Sequence, residues 1–336
     1  MSVPLLQIQS LSAGYPQRGI LPHEVVHPFT TQIHPGTVTC LIGPNGAGKS
    51  TLLTTIAGMQ KPLHGHVLLE GADIHQMSIT ARAKRLSVVL TQKMEVGLFT
   101  GYALVAMGRH PYTGLMGKLT GQDHDVIRRS IDWVGAGQLA DRPFNQMSDG
   151  ERQKILIARA LAQEPNLLIL DEPTAYLDLP RRVECMALLR DLALRTGCAV
   201  LLSTHDLDLA LRCADQMWLL PYTGQVQVGL PEDLVLSGAF ESAFHSTSVS
   251  FDRMTGAFHL PEKRSKVAVL EGEGTHFVWT KRALERQGYE VLTARQPHTP
   301  VIRVDPADEP HWQIINDETC VECHSVDALL VNLRNH

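Results

Sequence analysis

The sequence predicts an α/β protein: a mostly parallel core sheet with a β rim and an inserted helical subdomain, then a small C-terminal α/β or α+β module. Three observations predict it. Apolar runs four to six residues long lack strict alternation, they interleave with helical patterns, and around residues 246–266 the chain turns polar and basic before both patterns resume. Continuous apolar runs suit strands buried on both faces of a parallel sheet, and their alternation with helices suits a layered architecture. The length of 336 residues fits about two domains at roughly 150 residues each.

The core strands are expected at 38–42, 87–90, 167–170 and 199–202, with helices over 50–57, 151–162, 179–194 and 207–214. Residues 65–70 and 226–228 read as rim strands. From 101 to 141 the pattern is helical, broken at Gly108, Pro111, Gly114 and Gly117, so the inserted subdomain takes about 93–150. The first domain thus spans 3–245, and 246–266, with Pro261 and a basic run at 263–266, reads as a linker. The module at 267–336 is expected to run strand 267–270, helix 275–287, strands 289–293 and 301–304, and helix 326–333.

Composition removes several classes. Apolar residues make up 44% and charged residues 19%, which excludes a disordered chain. A net charge of -5 argues against a nucleic-acid binder working through bulk charge. Six cysteines are too few for a disulfide scaffold, which points to the cytosol. The N-terminus MSVPLLQIQS lacks the form of a secretory signal, and no run approaches the roughly 18 apolar residues of a membrane span.

The chemistry starts at LIGPNGAGKSTLL, 41–53, which carries G-x-x-x-x-G-K-[ST] through Gly43, Gly48, Lys49 and Ser50 between a strand and a helix. Backbone N–H groups along Asn45, Gly46 and Ala47, with Pro44 shaping the turn, then wrap phosphates at a helix N-terminus. Lys49 reaches the terminal phosphates, and Ser50 holds Mg²⁺. LLILDEP, 167–173, ends an apolar strand in two acids. Asp171 is placed to hold Mg²⁺ and Glu172 to polarise an attacking water. In MSDGERQ, 147–153, Ser148 and Glu151 have the spacing of a capping box.

Together these segments resemble the ATP-binding subunits of ABC transporters over roughly residues 3–245. GPNGAGKST is similar to the family's Walker A, LLILDEP to its Walker B with catalytic glutamate, and MSDGERQ to its signature. Gln92 matches the Q-loop, AYLD at 175–178 the D-loop, and His205 in LLSTHD the switch histidine. The resemblance implies that Tyr15 stacks on adenine, that Gln92 completes the Mg²⁺ shell, and that His205 fixes the γ-phosphate. It further implies that Ser148, Gly150 and Glu151 of one subunit meet the ATP held by the P-loop, through Thr51, of a second copy. The expected ligands are ATP and Mg²⁺. The expected partners are that second copy, two transmembrane permease subunits and, indirectly, an extracytoplasmic substrate-binding protein, with no nucleic acid. The expected place is peripheral, on the cytoplasmic face of the inner membrane.

Met147 and Asp149 depart from the family's usual leucine and glycine. Asp149 is expected to point away from ATP. DEPTAYLDLPRRVE, 171–184, and VAMGRHPYTG, 105–114, are similar to the importer branch for iron-siderophores, haem and cobalamin. Arg181 and Arg182 read as a solvated helix start. A soluble ABC ATPase of DNA repair or translation would carry a long coiled coil or two cassettes, and neither a sustained heptad nor a second P-loop is present.

The C-terminal module is less legible. Gly272 and Gly274 invite a dinucleotide fingerprint, but Phe277 stands where the third glycine belongs, which favours a plain strand–turn–helix connection. Cys320, Cys323 and His324 spell C-x-x-C-H, formally a haem attachment site, although no export signal accompanies it. With His311 they also suggest a soft-metal site. The leading expectation is a regulatory or packing domain.

Overall fold

In the computed structural model the chain divides into two units, Met1–Phe258 and His259–His336. The structure describes residues 3–17, 21–90, 98–114, 117–244, 249–259, 265–297, 299–305, 311–316 and 319–334.

The first unit is built around a six-stranded sheet. It contains β3 (Val38–Ile42), β6 (Leu86–Val89), β7 (Leu167–Leu170), β8 (Ala199–Ser203), β9 (Gln216–Leu219) and β10 (Gln227–Gly229), in the order β10-β9-β3-β8-β7-β6. All pairings are parallel except β9 with β10. Every residue of β3, β7 and β8 is buried, so these runs have no polar face to alternate with. The order places β8 between β3 and β7, which sets the C-terminal ends of all three strands at one edge.

A second sheet, in the order β2-β1-β4-β5, is antiparallel. It consists of β1 (Leu6–Tyr15), β2 (His23–Ile33), β4 (His64–Leu69) and β5 (Ala72–Asp73). Neither β1 nor β2 was expected from sequence. Register shifts interrupt β1 after Ile8, Leu11 and Ala13, and Ser10 has φ +46°, so its apolar residues drift out of a two-residue period. Trp218 of β9 is fully buried in the core under this sheet, with its ring edge-on to Phe29 at 5.8 Å.

Helix α1 (Lys49–Ile56) follows β3, and α2 (Ile79–Ala83) precedes β6. The inserted region contains α3 (Gly101–Ala106), α4 (Gly121–Trp133) and α5 (Asp149–Leu161). Its hub is Arg109, which is 3% exposed. Arg109 Nε donates to Asp123 at 2.8 Å, and Nη1 donates to Glu164 and to the Ala162 carbonyl, each at 2.8 Å. A buried guanidinium is tolerated because three acceptors and the Tyr112 ring, 4.0 Å away, replace its water. Helices α6 (Leu179–Thr196) and α7 (Leu207–Cys213) pack against the sheet's strands, each capped by an aspartate, Asp178 and Asp206.

The stretch read as a linker is partly structured. After α8 (Pro231–Leu236) and α9 (Ala239–Ala243), β11 (Ser250–Asp252) and β12 (Ala257–His259) form a hairpin. Phe251 stacks on Phe240 at 5.2 Å, and Phe258 meets Phe244 at 5.2 Å. These rings pack the hairpin against α9 and Phe244, and 250–258 falls in the first unit rather than in the expected linker. Residues 245–248 and 260–264 lie outside the described residues.

The second unit has a five-stranded sheet ordered β14-β13-β15-β16-β17. Its elements are β13 (Lys266–Glu271), α10 (Gly274–Arg286), β14 (Tyr289–Leu292), β15 (Val301–Asp305), β16 (His311–Ile315), β17 (Cys320–Cys323) and α11 (Val326–Arg334). Strands β13, β14 and β15 run parallel, and β15, β16 and β17 alternate. Two buried polar groups are satisfied internally: Trp312 Nε1 donates to Thr280 Oγ1 at 2.7 Å, and the Tyr289 hydroxyl donates to the Leu333 carbonyl at 3.2 Å. Among the described residues no helix is long and apolar enough to cross a membrane.

Candidate functional site

The loop from β3 to α1 is shaped by what it cannot hold. A Cβ on Gly43 would fall 2.1 Å from the Leu220 carbonyl oxygen. Gly48 has φ +103°, and a Cβ there would strike Val25 at 2.3 Å. Both positions therefore require glycine. With Gly48 as N-cap, α1 has no side-chain cap, which leaves its leading N–H groups for an anion.

Lys49 is 6% exposed and spans the loop, its Nζ donating to the Gly43 and Pro44 carbonyls at 2.9 and 3.0 Å. Burial pushes its pKa below the usual lysine value, against the upward pull of Glu172 and Asp171. Asn45 and Gly46 are exposed at the loop tip and Ala47 is buried. The Tyr15 hydroxyl lies 2.9 Å from Thr51 Oγ1, which ties the tyrosine to α1 while 51% of the residue stays exposed. An exposed ring fixed at one end is free to take a purine on its face.

The carboxylates arrive from the end of β7. Ser50 Oγ donates to Asp171 Oδ2 at 2.9 Å. A hydroxyl and a carboxylate converging beside a phosphate cradle are the hard oxygen donors that Mg²⁺ takes together with phosphate, so these residues fit that ion. Glu172 has φ +50°, a left-handed conformation that costs a non-glycine residue about 1–3 kcal/mol. Ser203, fully buried at the end of β8, accounts for how it is held. The Ser203 hydroxyl donates to Asp171 Oδ1 at 2.7 Å and accepts from the Glu172 backbone N–H at 2.9 Å. His205, just beyond β8, brings Nε2 to 2.5 Å from Glu172 Oε1. Lys49, Ser50, Asp171, Glu172 and His205 thus meet at one sheet edge, with Tyr15 beside α1. Gln92 lies outside the described residues.

Ser148, Gly150 and Glu151 sit apart from this group, at the start of α5. The Ser148 hydroxyl accepts from the Glu151 N–H at 3.4 Å, and Glu151 Oε2 accepts from the Ser148 N–H at 2.8 Å, a reciprocal capping box. Those bonds to Ser148, with Arg142 3.0 Å from the other carboxylate oxygen, hold the Glu151 carboxyl below its ordinary pKa. Asp149 turns back along the helix, 3.7 Å from Arg152, and Met147 is buried.

Sequence reasoning overlooked Ser203 and Arg181. The first carried a usable signal, a hydroxyl closing an apolar strand two residues before His205. The second was set aside as a solvated helix start, yet its Nη1 donates to Ser148 Oγ at 3.3 Å.

Among the described residues the C-terminal cysteines are not brought together with other ligands to hold a metal. Cys320 and Cys323 are three apart on β17, where side chains alternate, so they face opposite sides of the sheet. Cys320 is exposed, whereas Cys323 is buried in the core and accepts from Asn332 at 3.6 Å. Among the described residues no three His, Cys, Asp or Glu side chains are grouped to hold a metal ion. His311 and His324 merely place their rings edge to face at 5.4 Å. At the other proposed motif, Gly272 (φ +131°) abuts the Val304 carbonyl and leads into α10, a close strand–turn–helix connection.

The chain is similar to known proteins. Residues 26–175 match the ABC transporter family, and residues 265–334 match the iron ABC transporter C-terminal domain. An uncharacterized ABC transporter ATP-binding protein of Methanocaldococcus jannaschii is 43% identical over 81% of this chain and 93% of its own length. The achromobactin transport ATP-binding protein of Dickeya dadantii is 35% identical over 70% of this chain and 86% of its own. A solved structure of an inward-facing metal-chelate type ABC transporter is similar with a TM-score of 0.63 at 26% identity, covering 76% of this chain and 96% of that one.

Proposed function

The chain belongs to the ABC transporter family of ATP-binding proteins, and from that premise we propose that it is the ATP-hydrolysing subunit of an importer for an iron chelate of the siderophore class. The observation that carries this reading is the union, in one chain, of a nucleotide-binding cassette with a module of the iron ABC transporter C-terminal domain family. The relative from Dickeya dadantii, named for achromobactin transport, supports the same cargo class.

In the proposed cycle Tyr15 stacks on adenine while Gly43–Ser50 and Thr51 cradle the phosphates. Lys49 leaves its two loop carbonyls for phosphate oxygens, a charge-assisted exchange. Ser50 and Asp171, with Gln92, would hold Mg²⁺, which neutralises phosphate charge when bound. Glu172 accepts a proton from the attacking water, and Ser203 keeps its backbone in place. His205 exchanges Glu172 for the γ-phosphate. Ser148, Gly150 and Glu151 of a second copy complete the site, so that ATP closes the dimer and hydrolysis reopens it. The difference in binding free energy between those states drives two permease subunits in the inner membrane, with the chain peripheral on the cytoplasmic side and a substrate-binding protein supplying cargo from outside.

The test is capture from detergent-solubilised membranes with tagged Glu172→Gln protein and ATP. A polytopic permease is the expected partner, whose substrate-binding protein then binds a ferric siderophore. Recovery of ribosomes or DNA-repair proteins in its place would overturn the transport reading and leave the ATPase intact.

A further inference from the structure

We infer that Arg181, at the start of α6, is a further phosphate-binding residue: its guanidinium meets, beside Ser148, the γ-phosphate held by a second copy of this chain. The inference rests on the proposed dimer and goes beyond the signature residues already assigned to it.

The start of α5 has an electrostatic difficulty. Its first turn carries two acids, Asp149 and Glu151, at the helix start where the proposed dimer would bring an anion. Their charges are answered locally. Arg152 lies 3.7 Å from Asp149 and donates to the Phe144 and Asn145 carbonyls, and Arg142 takes Glu151 and the Gln146 carbonyl. Those two arginines are committed, so α5 by itself offers no net positive charge to a phosphate.

Arg181 supplies that charge from another element. Asp178 caps α6 by accepting the Arg181 backbone N–H at 3.0 Å, which fixes the residue in the first turn. Its Nη1 then reaches Ser148 Oγ at 3.3 Å and packs against Gly150, where a Cβ would sit 3.0 Å from it. Asp178, 3.7 Å from Nε, pairs with it in charge but without a hydrogen bond, and Glu151 also feels this charge, so the guanidinium is the cation shared by the start of both helices. Among the described residues Ser148 is the one side chain that hydrogen-bonds this guanidinium, which has donors to spare on a side chain that is 47% exposed. Ser148 is prepared in the same way. Its oxygen accepts from the Glu151 N–H and from Arg181, so the hydroxyl proton is left to be donated outward. A phosphate oxygen in line with that proton lies within reach of the guanidinium, whose planar fork suits phosphate. Gly150 leaves room for the arginine, so a side chain there would push it off the site.

The test uses the full chain carrying Glu172→Gln and follows dimer formation against ATP concentration by light scattering. Adding Arg181→Ala is expected to raise the ATP needed for half-maximal dimer by about tenfold, the loss of one charge-assisted contact. Arg181→Lys is expected to restore most of it and Arg181→Gln little, while a fluorescent ADP binds each monomer as it binds the parent. An unchanged ATP dependence in Arg181→Ala overturns the inference. So does rescue by Gln and not by Lys, which would leave Arg181 only positioning Ser148. A parent that stays monomeric at saturating ATP overturns the dimer reading itself, and the inference with it.

Discussion

The imidazole Nε2 of His205 lies 2.5 Å from Oε1 of Glu172, although 33 positions separate them in the chain. The pairing follows from strand order: β7 and β8 are parallel neighbours, and each residue sits just past its strand's end. The two side chains satisfy each other in the structure, and in the proposed cycle the imidazole leaves the carboxylate for the γ-phosphate. Glu172→Gln is expected to bind ATP as the parent does and to lose turnover by a hundredfold or more, the usual weight of a general base. Single-turnover hydrolysis with a parallel binding titration checks this. Retained hydrolysis would remove Glu172 from the chemistry.

Lys49 is expected to act on binding instead. Its ammonium already makes two hydrogen bonds to the loop it would share with phosphate, so Lys49→Ala both removes a charge and leaves the Gly43 and Pro44 carbonyls without their donor. Affinity for a fluorescent ATP analogue should fall about a hundredfold, and turnover with it. A variant that binds normally but does not turn over would reassign the lysine to the transition state alone.

Ser203→Ala tests a hydroxyl that bridges both carboxylate residues. Removing it takes one hydrogen bond from Asp171 Oδ1 and one from the Glu172 N–H, which holds the left-handed backbone of Glu172. The expected result is a roughly tenfold loss in kcat, little change in ATP affinity, and a stability cost of about 1–3 kcal/mol. Loss of affinity with unchanged kcat would mean that Ser203 serves only the magnesium side of the site.

The Arg109 hub predicts a pH dependence. Hydrogen bonds from the Thr120 hydroxyl and backbone N–H, then from Arg109, hold Asp123 at a pKa of about 2, against 3.8 for the free side chain. Because the folded value is the lower one, this stabilisation is complete above about pH 4 and is lost as pH falls through about 2. Asp123→Asn should be less stable than the parent by about 3 kcal/mol at neutral pH, since it leaves a buried arginine short of its partner. In urea melts from pH 6 to pH 2 the two proteins should converge at the acid end. A constant gap would show that the carboxylate's charge is not what stabilises the subdomain.

What the sequence made legible, and what it hid, divides along physical lines. Strands β3, β7 and β8 were readable because burial on both faces leaves an unbroken apolar run, and the P-loop because Gly43 and Gly48 have no steric alternative. Strands β1 and β2 were hidden by the register shifts between them, and β16 and β17 by short half-exposed strands whose cysteines drew a metal reading. Arg109 stood in a segment read only as a subfamily likeness, because the acceptors that hold it, Asp123, Ala162 and Glu164, are distant in sequence. Ser203 and Arg181 act through neighbours 31 to 33 positions away, so a local pattern marks the Ser203 hydroxyl at its strand end without showing what it bonds, and leaves Arg181 as one more helix-start residue.

Asp149 is the remaining departure from the family pattern, and its geometry makes a definite prediction. The carboxylate lies along α5 beside Arg152, half-exposed, at a helix start whose dipole favours an acid. Asp149→Gly removes that favourable charge, worth about 0.3–1 kcal/mol, and adds backbone freedom to the first turn. The variant should therefore melt slightly lower, with its ATP dependence and turnover changed by less than about tenfold. A larger gain in ATP affinity or turnover would mean that the carboxylate faces the incoming γ-phosphate when two copies meet, and that Arg152 releases it there.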